Sequence, residues 1–143
     1  MVLVRRLGKI DKFKKGIIAL CCIGALSGGT YLYSYIAELN NYKTIVAGLQ
    51  INELDLSQVK DGTFRGNCDA IFVAADVSVT VKDHKITEIQ LIRHKTERGQ
   101  TAEMIPAKVI KAQSLQVDTI SGATNSSKVI LKAIEIAVNS GRQ

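Results

Sequence analysis

The residues best suited to chemistry lie together in Asp118-Thr119-Ile120-Ser121-Gly122-Ala123-Thr124, directly ahead of a strongly apolar segment. If that segment is a helix, its first turn has unpaired backbone N–H groups at the positive end of the helix dipole, which attract phosphate. Gly122 and Ala123 remove bulk and let a large group approach the backbone. Ser121, Thr124, Ser126 and Ser127 supply hydroxyls. Residue types alone make this a phosphate-friendly helix start, and an ordinary capped helix after a small-residue turn has the same composition. Other chemistries lack their parts. Cys21 and Cys22 lie in an apolar run and Cys68 stands apart, with no C-x-x-C and no His/Cys cluster of zinc or haem spacing. No metal site is expected, and any redox chemistry would need a cofactor other than haem, zinc or an iron–sulfur cluster. No nucleophile–base pair or proton-transfer dyad is evident, so substrate turnover by this chain alone is not predicted.

The elements that must position this segment are legible from periodicity. Asn125, Ser126 and Ser127 are cap-type residues that open the last helix. Lys128, Lys132, Glu135 and Asn139 form one polar stripe, and almost everything else from Val129 to Val138 is apolar. Such a helix is held by burial against a sheet. Asp61-Gly62 is a turn that opens the domain, and Phe64 to Cys68 is a first strand. Ile71, Val73, Ala75, Val77, Val79 and Val81 alternate with more polar residues, which is the period of a strand. Asp83-His84 suits a two-residue hairpin turn, with Ile86 to Ile92 returning as the partner. A polar loop follows from Lys95 to Gln100. Pro106 then suits the first turn of a helix reaching about Gln113, and 114–124 is a loop. The expected fold class is α+β: an N-terminal transmembrane helix followed by a small antiparallel sheet packed with helices.

Arg5, Arg6, Lys9, Lys12, Lys14 and Lys15 face only Asp11 in the first fifteen residues, so five of the chain's six net positive charges sit at its tip. A nucleic-acid binder needs that charge spread over a contact face, and no nucleic-acid partner is expected. Gly16 to Ala37 carries no charge. As a helix it spans about 33 Å, enough for the hydrocarbon core of a bilayer. Tyr31, Tyr33 and Tyr35 crowd its far end like an interfacial belt, and the basic flank should stay cytoplasmic. The expected plan is a basic cytoplasmic tip over 1–15, a single-pass membrane anchor in lipid over 16–37, a connector over 38–60 with an amphipathic stretch from Tyr42 to Leu49, and an exported domain over 61–143. A cleaved signal peptide, with Ser27 and Gly29 at cleavage spacing, is the competing reading of the apolar run.

Asp118-x-x-Ser121-Gly122-Ala123-Thr124 resembles the flavinylation motif of the FMN-binding domain family. That family includes the C subunit of the sodium-translocating NADH:quinone oxidoreductase and the G subunit of the Rnf complex. Asp61-Gly62-Thr63-Phe64-Arg65-Gly66 is similar to the family's opening motif, and the likeness covers about residues 50–139. The resemblance implies FMN esterified through its phosphate to Thr124, with Asp118, Ser121, Gly122 and Ala123 as the recognition sequence. It implies an FAD:protein FMN transferase as a partner outside the cytoplasm, a membrane electron donor, and an extracytoplasmic or membrane acceptor. The family's loop beside the flavin ring often reads His-x-Glu-Thr-Pro-Gly. Here it is His94-Lys95-Thr96-Glu97-Arg98-Gly99, with the Pro lost and Glu and Thr out of register. Thr96, Arg98 and Gly99 remain candidates to lie over the ring, with Ser126 at the helix start. The implied function is electron transfer, as a carrier or a reductase subunit. A non-redox envelope binding or scaffold module is the alternative, and a solvated arginine or a strand-end histidine is the plainer reading of Arg98 and His94.

Overall fold

The computed structural model describes residues 2–96 and 98–142, and the side chains of residues 1–13 and of residue 19 lie outside the described residues. The cationic side chains of the tip up to Lys12 therefore fall outside the described residues. The chain separates into two compact units, residues 1–40 and 41–143.

Helix α1 runs Val2–Gly48. It continues through the amphipathic stretch at 42–48 because no proline or helix-breaking cluster interrupts it. The stretch Lys14–Gly48 is long and apolar enough to cross a membrane. In the first unit Leu20, Ile23 and Leu26 are exposed along it. Exposed apolar rows of this kind are what lipid covers.

In the second unit a three-stranded antiparallel sheet has the order β1-β2-β3. These strands are β1 (Gly62–Ala70), β2 (Val73–Lys82) and β3 (Lys85–Lys95). Helix α2 (Ile105–Ala112) packs on β3, and α3 (Thr124–Ser140) packs on β1 and β2. The α+β architecture is therefore as the periodicity indicates. The apolar row Val73, Ala75, Val77, Val79 and Val81 is buried in one core with Val129, Ile130, Ala133, Ile134, Ala137 and Val138. Fully burying one such valine contributes about 1.5–3 kcal/mol. The opposite face carries Asp76, Ser78 and Thr80 and is more open. There Asn67 and Arg93 both donate to the Asp76 carboxylate, Arg93 Nε at 2.6 Å from Oδ2.

Gly66 lets α3 lie directly on β1. A Cβ there would stand 2.0 Å from the Ala133 carbonyl oxygen and 2.6 Å from Ala137 N. The domain-opening motif thus has a packing reason for its second glycine.

Three local expectations are corrected. Ile71 does not start β2: Ile71 and Phe72 form a two-residue turn, and the strand begins at Val73. Antiparallel return of β1 onto β2 needs that turn, and pairing Ala70 with Val73 leaves two residues for it. Helix α3 opens at Thr124, and its N-cap is Ala123, which offers no side-chain cap. Ser126 and Ser127 are buried inside the first turns instead of capping them. Glu135 does not belong to a solvated stripe. It is 3% exposed and accepts from Asn52 Nδ2 at 2.8 Å and Lys132 Nζ at 2.9 Å, while Lys132 also donates to the Gln50 carbonyl at 3.0 Å. These bonds tie the segment before β1 to α3.

Candidate functional site: the turn into the last helix

The turn that leads into α3 is built by backbone hydrogen bonds around one buried serine. Ser127 Oγ accepts from Ile120 N at 3.0 Å and donates to the Ala123 carbonyl at 2.9 Å. Ala123 N donates to the Ile120 carbonyl at 2.9 Å, which closes the turn. Lys108 Nζ on α2 donates to the Asp118 carbonyl at 3.1 Å and holds the start of the loop. Gly122 has φ +78°, and a Cβ there would meet nothing within 4 Å. Its glycine is needed for the left-handed backbone, and the space in front of it is open.

Thr124 stands at the first helical position with its side chain exposed. The N–H groups of the first turn lack intrahelical acceptors by geometry, and among the described residues the N-cap position makes no side-chain cap bond to them. Ser121, Gly122 and Asp118 are exposed around it, and Ala123 is buried. The residues present therefore fit a phosphate ester: a free hydroxyl, donor-rich backbone and open room in front of the turn.

The loop after β3 closes one side of this turn. Thr96 Oγ1 lies 3.1 Å from Ser126 Oγ and accepts from Gly99 N at 2.8 Å. A Cβ on Gly99 would stand 2.0 Å from Ser126 Oγ. Thr96, Gly99 and Ser126 are brought together with the start of α3, and their hydroxyls are engaged with one another. Arg98 is exposed beside them.

Residues 74–139 match the FMN-binding domain family. This match, within the second unit, is consistent with membership of that family. The match starts at Ala74, one residue into β2, and ends at Asn139, in the last turn of α3, so it takes in β3, α2 and the whole Asp118–Thr124 turn. An uncharacterized protein of Treponema pallidum (strain Nichols) is 23% identical over 132 residues, covering 85% of this chain and 36% of that protein. The chain spans little more than a third of the length of this curated relative.

Two further features lie in the same unit as this match. Asn125 Nδ2 donates to Tyr42 Oη at 2.8 Å, so the end of α1 meets the residue after Thr124. The only hint of this in the sequence is a tyrosine in an aromatic-poor domain. Along the free edge of β3, a groove of about 530 Å³ is lined by Ile89, Leu91, Ile92, His94, Glu103 and Pro106, together with Gln90. The His94 side chain is 3% exposed, its Nδ1 lies 3.2 Å from Glu103 Oε1, and its Nε2 is buried without a hydrogen-bond partner among the described residues. Residues 118–127 do not line this groove. Cys68 is buried in the core, and burial pushes its thiol pKa up, which suits a small hydrophobe and not a nucleophile.

Proposed function

We propose that this chain is a membrane-anchored, extracytoplasmic flavoprotein that carries FMN as a phosphoester on Thr124 and works in electron transfer. The observation that carries this reading is the exposed Thr124 hydroxyl on an uncapped helix start, behind an open left-handed glycine, within an FMN-binding domain. Attachment would come from an FAD:protein FMN transferase. The Thr124 Oγ–P bond forms as the pyrophosphate bond of FAD breaks, AMP leaves, and the hydroxyl proton is released. Bound flavin accepts and returns one or two electrons.

The protein's own part is to hold and orient. The uncapped N–H groups and the dipole of α3 stabilise the phosphodiester charge. The buried Ser127 keeps the turn rigid, and the packed loop at Thr96–Gly99 fixes the first turn from one side. A covalent tether also explains how so small a domain could keep its cofactor outside the cytoplasm. The basic tip favours a cytoplasmic N-terminus, with the domain on the far side. Electron donor and acceptor are then membrane or envelope redox proteins.

Intact mass tests the attachment. Full-length protein co-expressed with an active transferase should gain about 438 Da, the mass of FMN less water. Thr124→Ala should gain nothing and be colourless. Unmodified wild-type protein under those conditions would leave a non-redox scaffold as the better reading. The anchor is tested by carbonate extraction, after which the protein should stay with the membranes.

A further inference from the structure

Residues 41–143 contain three aromatic side chains, Tyr42, Phe64 and Phe72. Two of them meet beside the residue that follows Thr124. Tyr42 is bonded to Asn125, and Phe72 contacts Tyr42 edge-to-face, with ring centroids 5.5 Å apart and planes at 89°. Both rings are half-buried. Phe64 lies far along β1 from this turn, under Gly141.

Phe72 is held there by a strained turn. Ile71 has φ +66°, a conformation that β-branched residues avoid. Three hydrogen bonds brace it. Ile71 N donates to Asp69 Oδ1 at 2.8 Å, Phe72 N donates to the Ala70 carbonyl at 2.7 Å, and Lys95 Nζ donates to the Ile71 carbonyl at 2.5 Å. Strain that the surroundings over-determine is common at ligand clamps.

We propose that Tyr42 and Phe72 form the wall against which the isoalloxazine ring of a Thr124-linked flavin lies. This rests on the covalent FMN reading above. A phosphate on Thr124 leaves the ribityl chain to carry the ring to neighbouring side chains. The Ser126 side of the first turn is filled, since Gly99 has no room there even for a methyl group. The Asn125 side presents two aromatic rings. A flat, largely apolar tricycle is held well by such faces, offset-stacked or edge-to-face. Tyr42 and Phe72 are thus assigned as flavin-contacting residues.

The test uses full-length, flavinylated protein in detergent, with intact mass, flavin emission per adduct and visible circular dichroism as readouts. A tyrosine in contact with the ring quenches flavin emission. Wild-type emission should fall several-fold below free FMN, and Tyr42→Phe should restore several-fold of it with the adduct intact. Phe72→Leu should keep the adduct and change the visible dichroism. Tyr42→Phe removes a single hydroxyl, so it decides the matter even if Phe72→Leu does not fold. Unchanged emission in Tyr42→Phe with the adduct intact would overturn the assignment, whatever Phe72→Leu shows. So would a signal that responds only to His94→Gln, which would put the ring in the β3 groove. Wild-type protein without the mass adduct would overturn the covalent reading and this one together, and the mass alone separates that case from the others.

Discussion

The sheet is folded by two turns of equal length and opposite character. At Asp83-His84 both residues have positive φ, 50° and 56°, and both are types that tolerate it. At Ile71-Phe72 the positive φ falls on a β-branched isoleucine. The first turn closes an end of the domain: Asp83 N donates to Asp61 Oδ1 at 2.9 Å, and the Gln113 side chain satisfies both the N–H and the carbonyl of Ile86 nearby. The second turn brings Phe72 toward Tyr42 and the start of α3. Local preference is followed at the first turn and overridden at the second, where three hydrogen bonds hold isoleucine in a conformation it disfavours.

The largest test of this contrast is Thr124→Ala. It should remove the whole flavin adduct by intact mass, while an exposed site of this kind shifts stability by no more than about 0.5 kcal/mol. Loss of the adduct with no change in folding separates a chemical end from a structural one.

Next is Gly99→Ala. Its new methyl group would press on Ser126 Oγ and Thr96 Oγ1. Overpacking of this kind should cost about 1–3 kcal/mol in chemical denaturation. It should also lower the flavinylated fraction, because α3's first turn is displaced.

The turns themselves can be exchanged in character. Ile71→Gly should stabilise the domain by about 1 kcal/mol through relief of the left-handed backbone, and His84→Val should destabilise it by about 1–2 kcal/mol. Destabilisation by Ile71→Gly would show that the contacts of Ile71 outweigh its strain, and the contrast between the turns would lose its meaning.

The smallest effect concerns Asp76 on the open sheet face. Hydrogen bonds from Asn67, then Arg93, hold its carboxyl below the usual carboxylate range. The folded pKa is below the unfolded one, so the stability it contributes is complete above about pH 4 and is lost as pH falls through the folded value. Asp76→Asn should flatten the acid limb of the stability curve and leave its slope near neutral pH unchanged.

Much of this was legible without coordinates. Alternation along Val73–Val81, the Asp83-His84 pair, Pro106 at the start of α2 and the apolar girth of α3 are local patterns that each specify one element. The phosphate-friendly turn was legible for the same reason, because Gly122, Ala123 and Thr124 are contiguous. The role of Thr96 was not. Its hydroxyl was open to a ring contact in the sequence, and it is engaged by Gly99 and Ser126 in the fold.

By itself, then, the sequence determined a long apolar helix, an antiparallel hairpin sheet with a buried closing helix, and a small-residue turn ending in a threonine at its start. These follow from nearest-neighbour chemistry and residue period. Tertiary structure decided that Ser127 staples the turn, that Glu135 is buried with Asn52 and Lys132, and that Tyr42 meets Asn125 across 83 residues of chain. Such contacts depend on where separate elements come to rest, and no local pattern encodes them.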